Sequence, residues 1–137
     1  MNQLNGTIVN IQSSPEISIV EVDVSGDVFS ALVLETPSTA AYLTAGSKIG
    51  IIFKETEVSI AKGLTGAISL RNRFQARVKK IEKHEILATI FLEYKANRIS
   101  SVISTKSADR LDLKEGDDVE WLVKTNEVSL CPTTWLL

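Results

Sequence analysis

Apolar residues occupy every second position in two stretches of the chain, 74–78 and 88–94. A period of two is typical of a strand that has one buried face and one exposed face. Turn-forming residues follow the second stretch, and the alternation restarts over 98–103. Together with two shorter apolar runs at 119–123 and 127–130, the pattern predicts five strands in this half of the chain.

A different pattern separates the third of these strands from the fourth. Hydroxyl residues suited to capping begin the segment 104–116, Ala108 and Leu111 are its apolar positions, and Gly116 closes it. We predict one short helix in this segment. Three strands, a short helix and two strands are typical of a small closed barrel of the oligonucleotide/oligosaccharide-binding (OB) kind.

The chain also contains an internal repeat, in which positions 2–60 align with positions 72–130 without a gap. Identical residues recur in this alignment, as Asn2 and Asn72 do, and apolar positions coincide along both copies. We therefore predict an all-β protein of two tandem, five-stranded OB-fold-like barrels, each with one short helix, which in the first copy falls at 37–46. The predicted divisions are a first barrel at 1–62, a linker at 63–68 and a second barrel with a C-terminal tail at 69–137.

Composition narrows the class of protein further. The 137 residues are 44% hydrophobic and 23% charged, which is typical of ordinary globular domains. The apolar runs are far shorter than the roughly 20 residues that a membrane helix needs, and Met1 begins no secretory signal. We expect a cytoplasmic protein with no membrane partner. Because no helix-turn-helix segment precedes Met1, we also expect a chain that is not a complete DNA-binding regulator.

Charge is distributed unevenly along the chain. Residues 1–67 hold three basic and seven acidic side chains, whereas residues 68–137 hold twelve basic and ten acidic ones, so that the net charges of −4 and +2 sum to −2. An anion site is therefore expected mainly in the second half.

The residues offer no catalytic or metal-binding set. Cys131 and His84 are the single cysteine and the single histidine, so neither a disulfide nor a Cys/His metal cage can form within the chain. The carboxylates show no pairing suited to acid–base chemistry, and the acidic run at 115–118 lacks the ligand spacing of a calcium loop. We predict that the protein is not an enzyme and holds no bare metal ion.

One group of residues consists of hydrogen-bond donors and cations without a carboxylate. A tetrahedral dianion needs such an environment, because guanidinium, ammonium, hydroxyl and amide groups can all donate to its oxygens. The alternative is that each group merely caps a turn. The group comprises Ser69, Arg71, Asn72, Ser104, Ser107, Lys124 and Thr125.

These residues lie in motifs that resemble the molybdate-binding Mop domain, a TOBE-like family. That family opens with Ser-Ala-Arg-Asn, enters its helix with Ile-Thr-x-x-Ser, continues with Leu-x-Leu-x-x-Gly and ends with Lys-Ala. The resemblance is carried by residues 69–72, 103–107, 111–116 and 124–125. It covers nearly all of the second copy and extends more weakly to the first, as in a tandem di-Mop arrangement.

The resemblance implies a ligand and a set of binding residues. Molybdate or tungstate would bind at domain or subunit interfaces of a homo-oligomer, a dimer or a trimer, for storage, buffering or sensing. Ser69, Arg71 and Asn72 match the opening motif, although Leu70 stands where the family has Ala. The remaining matches are Ser104 and Ser107 at the helix entry, and Lys124 and Thr125 at the end.

The first copy departs from the family motif. It has Leu34 and Pro37 in the two hydroxyl positions, and Glu55 beside Lys54 would repel a dianion. We therefore expect the first copy to be largely a structural partner that lends Lys54, and the chain to have fewer sites than two full copies would.

Two other functions remain open from the sequence. Small barrels also bind single-stranded nucleic acid on a basic groove with exposed aromatic rings, and the basic cluster within 71–80 is compatible with that use, although Phe74 lies in the apolar alternation. The second open function is that of a ligand-free assembly or regulatory module beside a transporter or transcription factor. The apolar tail at 133–137 favours burial against a neighbouring barrel.

Overall fold

A computed structural model describes residues 1–132 of the chain. Almost all of its regular structure is antiparallel β, with one α-helix, α1, at Thr105–Arg110. The strands are β1 Asn2–Ser13, β2 Ser18–Val24, β3 Asp27–Val33, β4 Lys48–Phe53, β5 Ser59–Ala61, β6 Asn72–Lys83, β7 Leu87–Tyr94, β8 Asn97–Ser104, β9 Asp118–Val123 and β10 Ser129–Pro132. The tail at 133–137 lies outside the described residues.

The strands form two sheets of five, in the orders β10-β4-β1-β2-β3 and β5-β9-β6-β7-β8. The sequence assigned the short strands β5 and β10 to the copies that contain them, but β5 pairs with β9 and β10 pairs with β4. Such short strands carry too little pattern to specify a partner, because register depends on a long buried face. The prediction of five-stranded OB-like barrels is confirmed, whereas the assignment of these two strands is corrected.

Two compact units follow from this pairing. One consists of Met1–Asn2 with Lys54–Val123, and we call it the second-repeat unit. The other consists of Gln3–Phe53 with the chain from Lys124 onward, and we call it the first-repeat unit. Each unit therefore contains a short segment that the sequence division had placed in the opposite copy.

The predicted alternation is visible in the burial of the strands. In β7, four alternate side chains starting at Ala88 are buried, while the residues between them are partly or fully exposed. In the core of the second-repeat unit, Tyr94 packs against Phe74 and Trp121, with ring centroids 5.9 and 5.2 Å away, and the latter contact is edge to face. The large buried apolar surface of these rings stabilises the sheet that carries the candidate residues.

The repeat extends to backbone detail. The pairing of β1 with β2 shifts register between Ile8 and Asn10, and the pairing of β6 with β7 shifts between Val78 and Lys80. Beside each bulge a glycine amide donates to the strand: Gly46 N to Ile8 O over 2.7 Å, and Gly116 N to Val78 O over 2.8 Å. These positions are equivalent in the aligned copies, so the same local geometry occurs in both.

The first copy does not form the predicted helix at 37–46. Ala40 N donates to Thr36 O over 2.9 Å as in a first helical turn, but Leu43 N then bonds three residues back, to Ala40 O. The hydroxyl of Thr39 also donates to Thr36 O over 3.1 Å. Such side-chain bonds compete with helix propagation, so the segment remains a series of turns.

No helix within residues 1–132 is both long enough and apolar enough to cross a membrane.

Candidate functional site

The structure brings Ser104 and Ser107 into direct contact at the start of α1. Ser107 N donates to Ser104 Oγ over 3.1 Å, which is the N-cap bond of the helix, and Ser104 Oγ donates to Ser107 Oγ over 2.9 Å. Both hydroxyls are therefore held in place by the helix entry. Because Ser107 accepts the bond from Ser104, its own hydroxyl hydrogen is free to donate to another acceptor.

Neighbouring residues fix the position of this helix entry. Thr105 N donates to Ile86 O and Thr105 Oγ1 donates to His84 O, both over 2.8 Å, so the loop between β6 and β7 holds the first residue of α1. At the other end, Leu113 N donates to Ala108 O over 3.1 Å. His84 contributes only its backbone to these contacts and is exposed, as predicted for a loop residue.

Asn72 begins β6 and pairs with Val123 at the end of β9. Arg71 immediately precedes Asn72 in the chain and Lys124 immediately follows Val123, and both are exposed. Asn72 itself is fully buried at 0% exposed. The side-chain amide of Asn72 therefore lies in the interior of the fold, whereas the charged side chains of Arg71 and Lys124 lie at the surface.

The copy of this asparagine in the first repeat has a defined structural role. Asn2 Nδ2 donates to Ser100 O and Ser100 N donates to Asn2 Oδ1, each over 2.8 Å. A side chain that both donates to and accepts from one residue of β8 acts as a clip within the second-repeat unit. The family motif asparagine is thus a buried structural residue in this copy.

Lys54 lies in the second-repeat unit, in front of a 3-10 turn at Glu55–Glu57. It is exposed and makes no ion pair with any residue from 1 to 132. The neighbouring Glu55 carboxylate accepts a hydrogen bond from the terminal ammonium of Met1, and this bond lowers the pKa of Glu55. The Met1 ammonium offsets the charge of the Glu55 carboxylate, and the repulsion of a dianion by Glu55 stays a prediction.

Ser69 is exposed in the segment that leads to β6, and Thr125 begins the second 3-10 turn, Thr125–Glu127, in the first-repeat unit. The candidates are thus distributed over three places: the helix entry, the end of the β6–β9 ladder and the two turns. The first copy offers no equivalent of the hydroxyl pair, since Leu34 and Pro37 stand at these two positions and neither carries a hydroxyl group.

The basic cluster on β6 is neutralised by acidic neighbours. Arg73 makes a two-pronged contact with Glu120, with Nε to Oε2 at 2.6 Å and Nη2 to Oε1 at 3.0 Å. The other pairs of this strand are Arg77 with Asp118, Lys79 with Glu93 and Lys80 with Glu82. Phe74 is buried and offers no ring to a base. These contacts do not favour the nucleic-acid groove that the sequence left open.

Two residues that were not predicted from the sequence share a pocket with Ser107. Arg110 and Ser59 are among the residues that line this cavity of about 220 Å³ on the surface of the second-repeat unit. Arg110 could have been found from its helical spacing of three from Ser107. Ser59 could not, because it lies in β5, whose partner strand the sequence did not specify.

No three His, Cys, Asp or Glu side chains gather into a metal site in the part of the chain that the structure describes.

Comparison with known proteins finds one matching domain model and a similar solved structure. A TOBE domain model matches residues 68–130. The solved structure of ModG, described as a cytoplasmic molybdate-binding protein with molybdate bound, superposes with a TM-score of 0.87 at 25% identity over 96% of this chain and 95% of that chain.

Two curated relatives are similar in sequence. The molybdenum import ATP-binding protein ModC of Brucella abortus is 31% identical over 111 residues, which are 80% of this chain; the chain spans only 29% of the length of that relative. Molybdenum-pterin-binding protein 1 of Clostridium pasteurianum is 34% identical over 65 residues, 47% of this chain and 96% of that protein. The chain belongs to the molybdenum-pterin-binding, or Mop, family, which confirms the resemblance of its motifs.

Proposed function

We propose that the protein binds molybdate or tungstate reversibly in the cytoplasm, as a store, buffer or sensor of the oxyanion. The observation that carries this proposal is the match over 96% of the chain to ModG, whose structure has molybdate bound. The binding is noncovalent and involves no turnover.

The described surface supplies the donors that such an anion needs. Arg71 and Lys124 are exposed cations. Arg71 directly precedes β6 and Lys124 directly follows β9, and these two strands pair there through Asn72 and Val123. These two cations supply positive charge for the anion, Ser69 and Thr125, which lie close to them in the sequence, supply hydroxyl donors, and buried Asn72 supports the end of the β6–β9 ladder. Charge-assisted bonds to oxyanions are about twice as strong as neutral ones.

The remaining candidates complete sites between copies of the chain. Ser104 and Ser107 present one spare hydroxyl hydrogen at the helix entry, and Lys54 presents an ammonium without a carboxylate partner among residues 1–132. Exposed aliphatic side chains lie next to the helix entry, with Ile86 74% and Leu87 52% exposed. We propose a homo-oligomer, a dimer or a trimer, in which a neighbouring subunit covers these side chains and completes the sites.

Isothermal titration calorimetry tests the proposal. Molybdate and tungstate should release or absorb heat with the purified protein, and phosphate should bind more weakly, because it keeps a proton near neutral pH and the candidate groups offer few acceptors for it. Lys124→Gln and Arg71→Gln should each weaken molybdate binding by about 10- to 150-fold, the equivalent of about 1.5–3 kcal/mol for a hydrogen bond to a charged group.

Lys79→Gln is the matched control. Its ammonium pairs with Glu93 over 3.4 Å, both side chains are more than half exposed and neither is a candidate residue, so its loss should leave the affinity within about twofold. Folded protein that gives no heat with either molybdate or tungstate would contradict the proposal and leave the ligand-free assembly module as the better interpretation.

A further inference from the structure

The chain segment that leads into β6 is held in place by the side chain of Arg73. The guanidinium donates from Nη2 to Leu64 O over 3.1 Å and from Nη1 to Gly66 O over 3.4 Å. Both carbonyls belong to the predicted linker at 63–68. A residue of the strand therefore binds the backbone of the linker that precedes it, within the second-repeat unit.

Arg73 is in turn anchored by Glu120. Its Nε and Nη2 donate to the two carboxylate oxygens over 2.6 and 3.0 Å, and the two residues are diagonal neighbours on the paired strands β6 and β9. Their side chains are 22% and 15% exposed, whereas those of Arg77 and Asp118, a pair on the same two strands, are 60% and 78% exposed. A two-pronged pair that is shielded from water keeps its geometry better than an exposed one.

Lys62 holds the start of the same linker. Its ammonium donates to Asp112 O over 2.8 Å and pairs with the Asp117 carboxylate over 3.0 Å. Gly63 and Gly66 have φ values of 68° and 90°, which residues with a Cβ rarely adopt. The linker therefore follows a defined path that side-chain bonds hold and that two glycines permit.

A short span with two fixed ends carries two of the candidate residues. It comprises residues 67–71, between Gly66, whose carbonyl is held, and Asn72, which is fully buried at the start of β6. We call it the approach span, and it contains Ser69 and Arg71. A span that is fixed at both ends loses less conformational freedom when its side chains close on a ligand.

The donors of Arg73 are used within the protein. A guanidinium has five N–H donors, and four of them are engaged, two toward Glu120 and two toward the linker carbonyls. Glu120 also balances its charge. Arg73 is therefore suited to holding the linker and not to binding an anion itself.

The first copy lacks this anchor. In the repeat alignment, Gln3 and Gly50 stand where the second copy has Arg73 and Glu120, and neither carries a charge. The anchor therefore accompanies the copy whose ligand motif is fuller, and the repeated fold does not require it.

We infer that Arg73 is a positioning residue for oxyanion binding: anchored by Glu120, it holds two linker carbonyls and thereby orders the approach span before the anion arrives. The inference rests on the proposed function, in which Ser69 and Arg71 supply donors to molybdate or tungstate. Loss of the anchor leaves these donors in the chain, but the span must then become ordered when the anion binds.

Calorimetric titration of the full chain with molybdate tests this inference. Arg73→Gln should weaken binding by about 5- to 30-fold, the factor for ordering the backbone of one residue on binding, and Arg73→Lys should recover part of the loss. Arg77→Gln is the matched control, because it removes the same charge from the same strand but its partner is Asp118, at 3.4 Å. Its affinity should stay within about twofold of the wild type.

Two further variants separate positioning from charge. Glu120→Ala removes a negative charge, so an effect of charge alone would strengthen anion binding, whereas loss of the anchor should weaken it by about threefold or more. Gly66→Ala leaves every charge in place, and its Cβ would meet nothing within 4 Å, but a φ of 90° is strained for alanine. It should weaken binding as well, and it decides the question if Arg73→Gln does not fold.

Amide hydrogen exchange adds a measurement that distinguishes local order from overall stability. Amides of the approach span should exchange faster in Arg73→Gln than in the wild type, while those of β7 keep their rates. Faster exchange in β7 to the same extent would mean a general loss of stability and would overturn the inference.

The titrations also separate this inference from the proposed function. If the wild type binds molybdate and Arg73→Gln binds it equally well, the inference fails and the proposed function stands. If Arg77→Gln weakens binding as much as Arg73→Gln, or if Glu120→Ala strengthens it, the effect is one of charge and the inference fails. If the wild type gives no heat at all, the proposed function fails and the inference fails with it.

Discussion

Replacing Asn2 by Ala should destabilise the second-repeat unit, because the side chain forms a two-bond clip. The amide is 5% exposed, donates to Ser100 O and accepts from Ser100 N, each over 2.8 Å. A typical hydrogen bond contributes about 0.5–1.5 kcal/mol net, and a backbone group left without a partner adds its desolvation cost. The two bonds together therefore correspond to a loss of about 1–3 kcal/mol in the free energy of unfolding.

The assay is urea unfolding followed by far-ultraviolet circular dichroism, with thermal unfolding as a second measurement. At about 3 °C per kcal/mol for a chain of this size, the midpoint should fall by about 3–9 °C. Asn2→Asp is a sharper second variant. Its carboxylate still accepts from Ser100 N but cannot donate to Ser100 O, so it should also be less stable than the wild type at neutral pH.

The control is Asn10→Ala in the same strand. Asn10 bonds Glu21 over 2.9 Å at an exposed position, so its loss should change the free energy of unfolding by less than about 0.5 kcal/mol. Equal stability of Asn2→Ala and Asn10→Ala would contradict this prediction, since the buried clip would then contribute nothing beyond an exposed pair.

Two further predictions concern a close backbone approach and an ion pair. Gly6→Ala should destabilise by about 1–3 kcal/mol in urea unfolding, because a Cβ at residue 6 would lie 2.5 Å from Asp23 O and 2.6 Å from Val22 Cγ1; Asn5→Ala is the exposed control, and equal stability of the two would contradict the close approach. The Lys62 ammonium, 3.0 Å from Asp117, holds the pKa of that carboxyl below its ordinary value of 3.8. The stabilisation by Asp117 is therefore fully present above pH 3.8 and is lost as the pH falls through the lowered value. Asp117→Asn should flatten the fall in stability between about pH 4 and pH 2, and an unchanged acid profile would count against it.

The strands and the repeat could be read from the sequence because their signal is distributed over many residues. The alternation over 74–78 and 88–94 reappears as buried and exposed faces of β6 and β7, and the internal repeat reappears as matching bulges at Ile8 and Val78. In such long strands a register error would move the entire apolar face to solvent. The pattern therefore specifies the strand and its buried face together.

Short elements could not be read in the same way. β5 and β10 are the shortest of the described strands. Their partner strands depend on the tertiary position of the preceding turn and not on their own apolar pattern. For that reason the sequence did not place Ser59 beside Ser107 and Arg110. The missing helix at 37–46 has a local cause, since hydroxyl side chains in the segment bond backbone groups that a helix would use.

The candidate site was predicted by residue type but not by the state of each side chain. The sequence does not show that Asn72 is fully buried or that the Glu55 carboxylate accepts a hydrogen bond from the Met1 ammonium. Burial and pairing depend on contacts between segments far apart in the chain. A sequence motif shows which functional groups are present, whereas the fold determines which of these groups are exposed to solvent.

The most direct measurement is anomalous diffraction at the tungsten absorption edge from crystals of the full chain grown with tungstate. We predict tungsten peaks within hydrogen-bond reach of Arg71 or Lys124 side chains, with Ser or Thr hydroxyls on the remaining oxygens. Crystals that diffract well in millimolar tungstate and show no peak at any of these residues would contradict this prediction.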